Sequence, residues 1–103
     1  MEIETYKLGE MLDSFNYQQV QDELEAILEK GCSLVIDMTA CNYVSSMGLR
    51  VLLYSKKVAA SKGNNCYLVG VNDEVKDVMD VTGFNNFFEI YNTMEEFKEK
   101  VMN

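Results

Sequence analysis

A chain of 103 residues, 48% hydrophobic and 25% charged, has the composition of a globular protein and the length for one modest core. Seventeen acids against nine bases give a formal charge of −8, which argues against nucleic acid and anionic membrane as partners. The absence of histidine excludes Ser-His and Cys-His nucleophile pairs.

The acidic surface fits a partner with a basic face, or serves solubility alone. Three cysteines, Cys32, Cys41 and Cys66, have no CxxC spacing and no imidazole beside them, so neither a zinc site nor a disulfide framework is expected. Such thiols suit a reducing cytoplasm. The opening residues, MEIETYKLGE, carry acids and lack an apolar core, unlike a signal peptide. No apolar run approaches the length of a membrane span. A cytoplasmic protein is expected.

Along the chain, Glu2 to Leu8 alternates apolar and polar residues and predicts a strand. Gly9 to Ser14 reads as a turn. Asn16 and Gln19 have capping-box spacing ahead of a helix whose apolar stripe is Val20, Leu24, Ile27 and Leu28. Gly31 stands where that helix should stop. Ser33 to Met38 is a buried strand broken only by Asp37. A central helix is expected from about Ser46 to Ser61, with Leu49, Leu52, Leu53 and Ala60 inward, and with Lys56, Lys57 and Lys62 toward its C-terminal end.

Gly63-Asn64-Asn65 is a turn, and Cys66 to Val71 a strand interrupted by Gly70. Asn72 caps a short helix with Asp73 and Glu74 in its first turn; Val75, Val78 and Met79 form its buried face and Gly83 ends it. Phe87 to Tyr91 is the last strand. Thr93 and Glu96 cap a terminal helix with Met94, Phe97 and Val101 inward. The order β-α-β-α-β-α-β-α implies one α/β domain over residues 1–103, with a mostly parallel sheet of four to five strands and four helices.

The junction between buried strand and central helix holds Ser45, Ser46, Met47 and Gly48. A hydroxyl there can accept an N–H bond as a plain cap. A phosphate there would be stabilised by the same unpaired N–H groups. Gly48 has no side chain, so a partner's backbone could come close. Both readings, cap and phosphorylatable surface, are open on spacing alone.

Little else carries chemistry. There is no Gly-x-x-x-x-Gly-Lys-Ser/Thr phosphate loop. Asp13 and Asp37, near strand ends, could pair for acid–base work or for a hard cation, or could form turns. Met11, Met38, Met47 and Met79 read as core filler and interface. No catalytic constellation assembles, so neither an enzyme nor a cofactor is expected.

The segment LVIDMTACNYVSSMGLRVLL resembles the signature of STAS domains, the family of anti-sigma factor antagonists and sulfate-transporter tails. Its pattern is an apolar strand ending in Asp, matched by Asp37, then Tyr43-Val44, then Ser45-Ser46-Met47-Gly48-Leu49. Downstream, YLVGVNDEVKDVMDVTGFNNFFEIYNTMEEF is similar to the family's strand, short helix, Thr-Gly and Phe-x-Ile-Tyr strand. Upstream, GEMLDSFNYQQVQDEL is similar to its first turn and helix, with one extra residue in the turn.

The resemblance implies an antagonist that, when unphosphorylated, binds a serine-kinase anti-sigma factor and frees the sigma factor. The kinase would phosphorylate Ser46, with Ser45 as the alternative acceptor, and a serine phosphatase of the metal-dependent class would reverse it. Asp13 and Asp37 match family acids near this edge and would serve docking or positioning; Ser45, Met47, Gly48 and Arg50 would line the same surface.

Two departures matter. The family Asp before the phosphoacceptor is Ser45 here. Family members usually open with two strands, whereas this chain has room for one before Gly9. The edge at Glu2 to Leu8 is therefore expected either to pair with another chain, as a homodimer, or to be protected by Glu2 and Glu4. Competing expectations are a STAS subunit that docks on a transporter or other regulatory complex with Ser46 as a mere cap, and a nucleotide-binding domain.

Overall fold

The central strands bury both of their faces, and this sets the layering. The computed structural model describes residues 2–102. In it β1 (Ile3–Lys7), β3 (Ser33–Asp37), β5 (Cys66–Val69) and β6 (Glu89–Tyr91) form a four-stranded parallel sheet in the order β1-β3-β5-β6. Val35 stands opposite Thr5 on one side and Tyr67 on the other. Successive side chains in a strand point to opposite faces, so Leu34, Ile36, Cys66 and Leu68 enter the larger core while Val35, Tyr67 and Val69 enter a smaller one behind the sheet.

Helices α1 (Tyr17–Leu28), α2 (Ser46–Ser61) and α3 (Asp73–Thr82) contribute the apolar residues of the larger core, including Leu24, Leu28, Leu52, Val75 and Met79. The smaller core is closed by Phe97 of α4 (Met94–Phe97), whose ring meets Tyr67 and Tyr91 edge-on at 5.1 and 5.5 Å between centroids. The expected α/β alternation and mostly parallel sheet are present.

A second, two-stranded sheet lies apart from the first. The stretch read as a turn over 9–14 contains β2 (Met11–Leu12), which pairs in parallel with β4 (Tyr43–Val44), Met11 opposite Tyr43 and Leu12 opposite Val44. Two strands therefore precede α1, but β2 does not extend the main sheet. β1 remains its outermost strand, and there Glu4 pairs with Lys30 at 3.1 Å.

Other boundaries move for identifiable reasons. The capping box at Asn16 does not form, because Asn16 hydrogen-bonds backward into the turn before it. On α2 the buried positions are Gly48, Leu49, Val51, Leu52, Ser55 and Ala59; Leu53 is half-buried and Ala60 exposed, since the contact stripe runs one residue earlier than expected. Ser55 enters the core because its hydroxyl donates to the Val51 carbonyl at 3.0 Å.

Val78 is exposed rather than buried, leaving Val75 and Met79 to hold α3. Residues Phe84–Phe87 wind a 3-10 turn, so the last strand starts only at Glu89. β5 ends at Val69, where Gly70 adopts φ +73° with Thr39 packed against it. The terminal helix makes one α-turn, then widens into a π-type turn over Lys98–Met102. The three cysteines are free and buried.

Candidate functional site

The short β2–β4 ladder brings two chain segments to one edge of the molecule. Leu12 lies opposite Val44, so Asp13 and Ser45 are the next residues of adjacent strands. The Ser45 N–H donates to the Leu12 carbonyl at 2.9 Å, which fixes the chain where α2 begins.

The two hydroxyls at this point have different surroundings. Ser45 is the N-cap: its backbone is extended (φ −80°, ψ 174°) and its Oγ accepts the Gly48 N–H at 3.2 Å. Ser46 is the first helical residue; it is exposed and stands outside the capping bond. Gly48 is buried rather than presented to a partner. A Cβ there would lie 2.7 Å from the Leu12 carbonyl oxygen and 2.9 Å from Val44 Cγ1. The missing side chain is thus used internally, to seat α2 against the small sheet.

Asp13 organises the preceding turn. Its Oδ1 accepts the N–H groups of Phe15 at 2.9 Å and Asn16 at 3.2 Å, while Asn16 Oδ1 accepts the Asp13 N–H at 2.8 Å. Asp37 organises a different one, its Oδ1 accepting the backbone N–H of Thr39 at 3.0 Å and the Thr39 hydroxyl. Thr39 in turn covers Gly70. The two carboxylates serve separate turns, and among the described residues no group of three metal-ligating side chains comes together.

Met47 and Arg50 line an open groove of about 360 Å³ between α1 and α2, together with Tyr17, Gln21, Tyr54 and Lys57. Tyr54 has its phenol pushed above the usual range, chiefly by the charge of Glu25. Three large apolar side chains stand on the Ser46 edge, of which Met11 is read from the sequence only as core filler or interface, and Phe15 and Tyr43 have no site role there. Met11 is 47% exposed, Phe15 95% and Tyr43 55%. The outward half of the β2–β4 pairs, and the aromatic in the Asp13 turn, are left without a cover. Phe15, an aromatic inside a polar turn, was the available signal.

Residues 2–97 match the family model described as "STAS domain". The chain belongs to the STAS domain family. An anti-sigma factor antagonist by name, BtrV of Bordetella bronchiseptica, is 31% identical over 86 residues, covering 82% of this chain and 74% of that protein. The anti-sigma-B factor antagonist of Listeria monocytogenes is 28% identical over 95 residues, covering 91% and 82%. Among solved structures, one from Thermotoga maritima, also named as an anti-sigma factor antagonist, superposes with a TM-score of 0.89 at 22% identity over 98% of this chain and 88% of its own. That likeness establishes the fold. Among the described residues no helix is long and apolar enough to cross a membrane.

Proposed function

We propose that this STAS domain is an anti-sigma factor antagonist whose docking edge is switched by phosphorylation of Ser46. The observation that carries the reading is the division of labour at the start of α2. Ser45 holds the cap, so Ser46 is free to be modified without unmaking the helix. Ser45, half-buried and bonded to the Gly48 N–H, is the poorer acceptor. The names of the curated relatives support the role.

In its unmodified state the protein would bind a serine-kinase anti-sigma factor through the exposed Met11, Phe15 and Tyr43, with Asp13, Met47 and Arg50 contributing. A phosphate on Ser46 adds about −1.5 to −2 charges to the rim of that apolar patch. Docking would then bury a strongly hydrated dianion, so the complex weakens. Gly48 supports this surface from beneath, and Asp37 shapes the β3–β4 loop behind it. A serine phosphatase of the metal-dependent class would reset the switch.

The deciding experiment is phosphopeptide mapping of the protein from its own host under growth and stress, followed by pull-down with Ser46→Ala and Ser46→Glu baits. Phosphate on Ser46 that changes with condition, and a kinase captured by Ser46→Ala but not by Ser46→Glu, is the expected result. Phosphate on Ser45 keeps the cascade and moves the acceptor. No phosphate under any condition discards the switch in favour of constitutive docking.

A further inference from the structure

Ser46 and Arg50 stand four residues apart on α2, and both are exposed. Arg50 is the only arginine in the chain. Although the protein carries 17 acidic side chains, Arg50 has no carboxylate partner, the ion pairs among the described residues being Lys30–Glu4 and Lys100–Glu96. It lies along the groove between α1 and α2, with Lys57 two turns further on.

Helical geometry places side chains at i and i+4 on one face, one above the other. Long side chains on a helix lean back toward its N-terminus, over the residue four positions earlier. For Arg50 that residue is Ser46. An acid N-terminal to a base at this spacing is also the better of the two orders. A guanidinium can meet phosphate oxygens with two parallel N–H bonds, which an ammonium cannot.

We propose that Arg50 is the intramolecular counter-ion of a phosphate on Ser46, and that phosphorylation draws its guanidinium out of the α1–α2 groove toward the start of the helix. The inference rests on the reading of Ser46 as phosphoacceptor. It adds a second arm to the switch. Modification introduces charge at one end of the docking edge and also withdraws the arginine from the surface beside it. The groove then keeps Lys57 as its remaining cation, with Tyr17 and Tyr54 on its walls and Glu25 acting on Tyr54.

The test uses the full chain with phosphoserine genetically encoded at position 46, so that it needs no kinase. A failed search for the kinase would therefore leave this result standing, and the reverse also holds. The phosphate is titrated by ³¹P resonance in the wild type, Arg50→Gln and Arg50→Lys. Its second ionisation, ordinarily near pH 6, is expected about half a unit lower in the wild type than in Arg50→Gln, with Arg50→Lys between them and the gap shrinking at high salt. The Arg50 Nε resonance is expected to move on phosphorylation. Equal titration midpoints in the wild type and Arg50→Gln, or an Arg50 resonance indifferent to the phosphate, overturn the pairing. Arg50 is exposed, so both variants are expected to keep the amide spectrum of the parent.

Discussion

The Leu12 carbonyl oxygen and the α-carbon of Gly48 are packed so closely that a Cβ on Gly48 would lie 2.7 Å from that oxygen. The obstacle is backbone, and the same oxygen is held by the Ser45 N–H, so it has little room to retreat. In an ordinary helix interior, Gly→Ala gains up to about 1 kcal/mol. Here overpacking costs about 1–3 kcal/mol and wins. Gly48→Ala is expected to lower the urea midpoint and to shift the β2–β4 amide resonances; a variant more stable than the parent would contradict the packing.

The two serines separate by the same measurement. Ser45→Ala removes an N-cap and is expected to cost about 1 kcal/mol. Ser46→Ala removes an exposed hydroxyl outside the cap and is expected to stay within about 0.5 kcal/mol of the parent. Equal losses, or a larger one at Ser46, would reverse the assignment of cap and acceptor.

Much of this arrangement was legible in the sequence, for reasons that can be placed. Strands β3 and β5 are buried on both faces, so their apolar runs are continuous and their neighbours follow from the alternation with helices. Asn72 and Thr93 are caps as expected, because a cap is decided by three or four adjacent residues. Asn16 was misread for the opposite reason. Asp13, three residues earlier, competes for the same turn and engages it.

Strand β2 was missed because two residues, Met11 and Leu12, show no periodicity, and their partners are 32 residues away in Tyr43 and Val44. The internal role of Gly48 depends on that missed contact and was hidden with it. Val78 fits a helical stripe on α3 whose width is overestimated, whereas on α2 the stripe runs one residue earlier than the apolar spacing indicates and leaves Leu53 half-buried.

The Asp13 turn allows its structural and electrostatic roles to be told apart. Asp13→Asn retains an oxygen that can accept from the Phe15 and Asn16 N–H groups, so stability is expected within about 0.5 kcal/mol of the parent. Asp13→Ala leaves those groups without their acceptor and is expected to cost about 1 kcal/mol or more. Thermal unfolding of the pair checks this. If both variants lose equally, the carboxylate charge rather than its acceptor oxygen holds the turn.

Cys66 makes the stability of the fold sensitive to alkali. It is fully enclosed in the larger core, and burial pushes its thiol from an ordinary value of 9.0 up to about 12, against a smaller opposing effect of Lys56. The folded protein therefore keeps the proton over a range where the unfolded chain has released it. The raised value stabilises the fold below about pH 9, and that contribution is lost as pH rises toward 12, at about 1.4 kcal/mol per unit. Tyr6, raised by burial and by its bond to Glu23, loses stability in the same direction at higher pH. A difference measurement cancels that background. Cys66→Ala is expected to be less stable than the parent at pH 8, because it leaves a void in the larger core. The gap should then narrow steadily above pH 9, since the variant has no thiol at that position to ionise on unfolding. Denaturant curves of both proteins at half-unit steps from pH 8 to 10.5 read this directly, and a gap that stays constant across the range would place the alkaline sensitivity elsewhere.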